Sequence, residues 1–357
     1  MPLPFLENTA KRRDQMLSID LGGRTTKAVH LQRKGDDIML SRFVLLDAPI
    51  YEKNLSADLL GEHLKSVFQA LDAKTKLVTL AIGVQDSLVR YADLPLMPVG
   101  DMRQVLKNNT KNYLQQDLPG YLFDCSVIPP RSAAKPAEKG KAAGIPQKNR
   151  VLVAGAKKQL VDDMQTAVKN TGMLADHIVP GLIGPVNAFE SAMPEIFNRE
   201  VVALVDIGFK NTSICLLQEG ELILSRVVGI GGDKLTTGLA ESLSISYAEA
   251  EGIKVGMPSE VQSQLESLVL PLGRELRASI DFFEHQQDKT VGHVYISGAS
   301  AVSEFIVQTL QTELMVECKT WNPLNFLQVA LPPQQVGEIE HVAPQLSVAI
   351  GAALSAF

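Results

Sequence analysis

The chain has 357 residues, 45% apolar and 21% charged, the make-up of a soluble globular protein of about two domains. A formal net charge of −6 gives no electrostatic footprint for nucleic acid. Cys125, Cys215 and Cys318 stand too far apart for a CxxC metal pattern or a disulfide framework, and no HExxH spacing occurs.

The opening MPLPFLENTAKRRDQ lacks the long apolar core of a signal peptide, so residues 1–16 are expected as a flexible tail. LSID then runs into a Gly-Gly turn, TTKAVHLQ alternates in and out, and KGDD turns into IMLSRFVLL, which predicts three strands. A helix is expected from Ser56, its N-cap, with Leu59, Leu60, Leu64, Val67, Phe68 and Leu71 on one face. KLVTLAIGV reads as a buried strand. The stretch 88–173 carries the helix DMRQVLKNNTKNYLQQ, strands YLFDCSVI and RVLVAGA, and a helix from Lys158, enough for an inserted accessory subdomain. Its loop 131–149, rich in Pro, Ala, Gly and Lys, has nothing to bury and is expected to be disordered.

From residue 201 the opening plan returns. VVALVDIG, NTSICLLQ and LILSRVVGI predict three strands, and GGDKLTTGLAESLSI starts a helix after two glycines. Residues 246–290 insert mostly helix. VGHVYISGAS is a later strand, with a helix from Ala301. The closing VAPQLSVAIGAALSAF is shorter than the roughly 20 residues that span a bilayer, and it contains Pro344 and Gln345. A reduced, cytoplasmic chain is expected.

The repetition is close at one phrase: DLGGRTTKAVHLQ from Asp20 and DIGFKNTSICLLQ from Asp206. A tight glycine turn between strands aims consecutive backbone N–H groups at one point and makes an anion nest. Thr25 and Thr26 add hydroxyl donors. A strand-end aspartate cannot bind phosphate, but it can hold the hydrated Mg²⁺ that neutralises phosphates. Two such turns facing across a cleft would grip a polyphosphate from both sides, with Asp20 and Asp206 flanking the metal. The bland alternative is that both aspartates cap their own turns; the matched placement favours the metal role. Lys27 fits a solvated strand lysine or a ligand-facing one equally well.

These motifs, with GIGGDKLT, AEAEGIK, VYISGAS and AIGAAL in that order, resemble the actin-like ATPase superfamily of actin, sugar kinases, chaperone ATPases and FtsA. Within it the chain is most similar to the PilM family of type IV pilus assembly. That family's DIGxxxxKxV, GGxxLTxxIA, AExxK, LxxELxRSLDFF, YLSGG and AIGLAL patterns match Asp20–Val29, Gly231–Ala240, Ala250–Lys254, Leu272–Phe283, Tyr295–Gly298 and Ala349–Leu354. The resemblance implies an α/β, actin-like (ribonuclease H-like) duplicated two-lobe fold with an inserted accessory subdomain. Residues 17–87 and 174–200 would form the first lobe, closed by a C-terminal helix at 343–357, and residues 201–342 the second.

It also implies ATP and Mg²⁺ as cofactors. Gly22, Gly23, Arg24 and Thr25 would be the first phosphate loop; Asp206, Gly208, Lys210, Asn211 and Thr212 the second. Gly231 and Gly232 would lie under ribose and phosphates. Glu251 and Lys254 would approach ribose and purine, although by themselves they read as an intrahelical ion pair. Gly298, Ala299 and Ser300 would border the adenine, where the family usually has two glycines. Asn187 and Glu190 are weak candidates for orienting an attacking water, so a slow ATPase at most is expected.

The family's partner is the cytoplasmic tail of the single-pass membrane protein PilN, which would tie the chain to the inner membrane indirectly. The expected groove lies between the first lobe and the inserted subdomain, walled by Leu94, Leu96, Met97, Val105, Leu106, Tyr113 and Leu114. The chain's own MPLPFL offers a second occupant from a neighbouring copy, a route to self-association. A type II secretion role is the near alternative. A small-molecule kinase would need a third acidic motif for a base, and none fits; an FtsA-like division protein would end in a basic amphipathic helix, where this sequence has LSAF.

Overall fold

The computed structural model describes residues 13–50, 55–128 and 148–357. Strands β1 (Gln15–Leu21), β2 (Thr25–Lys34) and β3 (Asp37–Asp47) form an antiparallel meander, followed by helix α1 (Ala57–Leu71) and strand β4 (Leu77–Ile82). The Ser56 side chain accepts from the Leu59 N–H and caps α1, whose Leu60, Leu64, Val67 and Leu71 are buried and Phe68 partly so; Leu59, expected on the same face, is exposed in the first turn. The expected tail 1–16 ends sooner than its composition implied: Gln15 and Met16 already pair with Gln32 and Leu31, and Met16 is core. The remainder of that tail lies outside the described residues.

The inserted part holds β5 (Ser87–Pro95), α2 (Val99–Asn108), α3 (Thr110–Leu114), β6 (Tyr121–Val127), β7 (Lys148–Lys157) and α4 (Lys158–Asn170). One helix was expected over DMRQVLKNNTKNYLQQ; the chain instead breaks at Asn109, whose φ of −146° is not helical. Thr110 then turns its hydroxyl back to accept from the Leu118 N–H. Within the loop expected at 131–149, Lys148 and Asn149 belong to β7 and pair with Pro95 and Leu94, because β5 offers them a partner. The rest of that loop lies outside the described residues.

Strand β8 (Leu174–Pro180) and helices α5 (Ile183–Ala192) and α6 (Pro194–Arg199) lead to the second meander, β9 (Val201–Ile207), β10 (Thr212–Gln218) and β11 (Glu221–Val228). Helices α7 (Gly232–Leu243), α8 (Tyr247–Gly256) and α9 (Gln262–Gln287) follow, then β12 (His293–Ser297), α10 (Glu304–Leu314), β13 (Glu317–Thr320) and β14 (Gln328–Val329). The helix expected from Ala301 begins at Glu304, where the Ser303 side chain caps it; residues 299–302 are a tighter turn. Short helices α11 (Pro333–Val336) and α12 (Ile339–Val342) precede α13 (Ser347–Leu354).

Among the described residues the strands form three sheets, in the orders β14-β3-β2-β1-β4-β8, β11-β10-β9-β12-β13 and β5-β7-β6. The first two share a plan: an antiparallel meander with a parallel neighbour beside its first strand. The small third sheet belongs to the insertion. The second lobe was expected to run to 342, but β14 already pairs with Met39 and Leu40 of the first sheet. Phe189 of α5 ties the two halves together, with its ring 5.2 Å from Trp321 and 5.0 Å from Tyr295. Helix α13 packs on α5 at Gly184 and Gly351, where a Cβ on Gly351 would run into the Gly184 carbonyl.

Candidate functional site

Asp20 and Asp206 stand at equivalent places. Each is the last residue but one of the first strand of its meander and pairs with the parallel neighbour, Asp20 opposite Ala81 and Asp206 opposite Ser297. Ligands of open α/β sheets gather outside these carboxyl ends. Both aspartates line one cleft of about 480 Å³ between the lobes. Beside Asp20, opposite it on the neighbouring strand β2, lies Lys27, whose Nζ is 3.0 Å from Asp20 Oδ2. Its burial alone would lower its pKa, but the charge and hydrogen bond of Asp20, with the charge of Asp206, hold it above the usual lysine value. Of the two roles open for Lys27, the structure shows an ion-paired lysine facing the cleft.

Asp206 is half-buried on the cleft wall, and desolvation there pushes its pKa up despite the hydroxyls of Ser297 and Ser347 and the charge of Lys27. Both hydroxyls donate to Oδ1, at 2.7 and 3.1 Å. Among the described residues no group of three or more His, Cys, Asp and Glu could hold a metal ion. Two carboxylates with an ammonium between them fit a Mg²⁺ that arrives coordinated by phosphates and water, since Mg²⁺ keeps most of its shell and takes one or two carboxylates.

The cleft gathers Asp20, Arg24, Thr25, Lys27, Asp206, Gly208, Gly232, Glu251, Lys254, Gly298, Ala299 and Ser300 from the residues expected there. Gly298 adopts φ of +91°, a left-handed conformation, with its Cβ position against the Ile207 carbonyl; no other residue type fits without strain. Lys254 is buried and donates to Thr236 Oγ1 at 2.6 Å and Glu251 Oε2 at 2.7 Å. Burial would raise the Glu251 pKa, but hydrogen bonds from Lys254 and Thr236 bring it below the ordinary value. The intrahelical pair and the cleft wall are thus one arrangement.

Other expected residues point elsewhere. Thr26 is buried, and its Oγ1 lies 2.8 Å from His63 Nε2 of α1: strand alternation sends Thr25 and Lys27 into the cleft and Thr26 to the opposite face. Thr212 is also buried and donates to the Ile230 carbonyl at 2.6 Å. Asn211 donates to Gln85 at 3.1 Å. Lys210, Gly22, Gly23 and Gly231 belong to the turns without lining the cleft; Gly22 and Gly231 sit where an added Cβ would meet the carbonyls of Thr25 and Phe209. Ser297, Ser347, Phe209, Val255, Val302 and His341 were missed. Ser297 carried a signal as the neighbour of the Gly298 loop, and Phe209 as a residue of the second Asp-x-Gly turn.

A larger cavity, about 690 Å³, lies between the first lobe and the insertion. Val89, Leu152 and Ala154 wall one side, and Ile178, Ile183 and Phe357 the other. The residues expected to wall this groove do something else. Leu94, Leu106 and Leu114 are buried in the insertion's own core, with Met97, Val105 and Tyr113 packed against it, and Leu96 is exposed. Alternation along β5 and β7 explains this, since Val89 and Leu152 point to the face opposite Leu94 and Val151. Asn187 and Glu190 also line this cavity and not the cleft, and Asn187 donates to the Gly351 carbonyl at 3.1 Å. That placement removes both as candidates for orienting a water at a phosphate.

Comparison with known proteins follows the same lines. The chain is similar to cell division protein FtsA of Bacillus subtilis (strain 168), 30% identical over 103 residues, which is 29% of this chain and 22% of that protein. It is similar to FtsA of Rhizobium meliloti (strain 1021) at 28% over 133 residues, or 35% of this chain and 30% of that one. The chain thus spans less than a third of the length of these relatives. Among solved structures, the PilM-PilN type IV pilus biogenesis complex superposes with a TM-score of 0.82 at 20% identity, over 97% of this chain and 99% of that one. Ethanolamine utilization protein EutJ from Carboxydothermus hydrogenoformans gives 0.57 at 15% identity, over 96% and 90%. These likenesses establish the actin-like fold. The model of the family "Type IV pilus assembly protein PilM" matches residues 18–357, and the chain belongs to that family.

Proposed function

We propose that the chain binds ATP with Mg²⁺ between its lobes and docks the cytoplasmic tail of a PilN-like inner-membrane protein in the cavity beside the insertion. The observation that carries the nucleotide half is the doubled turn: two strand-end carboxylates and one ammonium converge on a single cleft. The turns would hold phosphates by backbone N–H groups and Lys27, and Asp20 and Asp206 would hold the hydrated metal, which neutralises phosphate charge.

The docking half draws on the solved complex, in which a PilM binds PilN, and on a cavity whose apolar walls suit a short peptide. Among the described residues no helix is long and apolar enough to cross a membrane. Such a partner would therefore place this chain at the cytoplasmic face of the inner membrane. A tail of about ten residues gives up ordering entropy on binding, so micromolar affinity is expected.

Fluorescence anisotropy with a labelled PilN-type N-terminal peptide checks this. Val89→Asp and Leu152→Glu, which put a charge on the cavity wall, should weaken binding at least about tenfold, and Tyr113→Ala should not. Equal binding by all three variants would remove the peptide from this cavity. Arg13 donates to Asp176, a residue of the cavity wall, at 2.7 Å. The titration is therefore repeated without residues 1–12, to ask whether a neighbouring copy's MPLPFL competes for the same place.

A further inference from the structure

Arg24 belongs to the first Asp-x-Gly turn, yet its guanidinium reaches the second lobe. Nη1 lies 3.5 Å from both the Tyr247 hydroxyl and Glu251 Oε1 of α8. The guanidinium carbon is 5.6 Å from the Phe209 ring centre and 5.9 Å from that of Tyr247. Phe209 comes from the second turn, so one side chain spans the cleft and touches two elements on its far wall.

The acceptors are held firmly. Tyr247 donates to Asp233 at 3.0 Å, and Glu251 is fixed by Lys254 and Thr236. The arginine is not: its polar contacts are long beside the roughly 2.7–2.9 Å of a good charge-assisted bond, and its side chain is 45% exposed. A guanidinium has five donors in a planar fork that matches phosphate oxygens in pairs.

Resting on the nucleotide reading above, we propose that Arg24 is an interlobe latch whose guanidinium passes from Glu251 and Tyr247 to the outermost phosphate of a bound nucleoside triphosphate. The exchange replaces two long contacts with a bidentate pair of higher charge. Phosphate number would then decide whether the first turn is held by the second lobe or by the ligand, and Glu251 would be released toward the ligand only when the triphosphate is present.

The test uses the full chain with spin labels at Glu62→Cys on α1 and Asp281→Cys on α9, since Cys125, Cys215 and Cys318 are buried. Without nucleotide, Arg24→Ala should lengthen or broaden the interlobe distance, and Arg24→Lys, which lacks the fork, should fall between it and the parent. Calorimetry with ADP and with a slowly hydrolysed ATP analogue should show the preference for the triphosphate falling on the order of tenfold in Arg24→Ala, the loss of one charge-assisted contact. An unchanged distance without nucleotide overturns the latch. An unchanged triphosphate preference overturns the transfer. If neither nucleotide binds the parent, the nucleotide reading itself fails and the transfer with it, while the nucleotide-free distances still decide the latch.

Discussion

Asp206→Asn is expected to make the nucleotide-free protein more stable and to abolish its response to Mg-ATP. Desolvation pushes the Asp206 pKa up, so its folded surroundings favour a neutral group over an ionised carboxylate. Asparagine keeps an acceptor for the Ser297 and Ser347 hydroxyls that donate to Oδ1. The desolvation cost goes and the hydrogen bonds stay. Removing the charge in this way gains about 0.5–2 kcal/mol, the usual range of a single stabilising substitution, a rise of a few degrees in Tm for a chain of this length.

The pH dependence follows from the same sign. The raised pKa means that the Asp206 contribution to stability is fully present below its unfolded value of 3.8 and is lost as pH rises through the higher folded value. The difference in Tm between Asp206→Asn and the parent should therefore be largest near neutral pH and shrink on acidification. A variant less stable than the parent at neutral pH would mean that attraction to Lys27 outweighs burial.

The second large effect is expected at the α5–α13 crossing. Every residue from Ser347 to Ala353 is buried. The helices meet backbone to backbone, because Cβ atoms on Gly184 would meet Val348 backbone atoms and one on Gly351 the Gly184 carbonyl. Gly351→Val must push α13 off α5, a cost of about 3 kcal/mol or more, beyond ordinary overpacking. Helix α13 begins with Ser347, which holds Asp206, and α5 walls the larger cavity. Both sites should weaken along with stability. Urea denaturation measures the first loss and the two ligand titrations the others; a loss under 1 kcal/mol would mean that the crossing opens easily.

What the sequence revealed was what repeats locally. The Asp-x-Gly turns at Asp20 and Asp206, the meanders around them and the Ser56 cap all follow from patterns within about ten residues. Side-chain direction was harder. Thr25 and Thr26 look interchangeable as donors until the pairing of β2 decides which one faces α1, and the same one-residue parity turned Leu94 and Val151 inward while giving Val89 and Leu152 to the cavity. Contributions from distant segments were not legible at all. Ser347 and His341 reach the cleft only because the C-terminal stretch packs back across the molecule, and β14 pairs with a strand nearly 300 positions earlier. Nothing in ALPPQQVGEIEHVAPQLS announces either role.

The measurement closest to the central claim is isothermal titration of the full chain with ATP, with Mg²⁺ and with EDTA, for the parent, Asp20→Ala and Asp206→Ala. If the two turns form one site, the parent binds one nucleotide per chain with an affinity that falls on chelation, and each alanine variant loses binding by at least about a hundredfold, the loss of a metal-bridged charge contact. Undiminished Mg-ATP binding by both variants would contradict the account, because neither turn would then be holding the nucleotide.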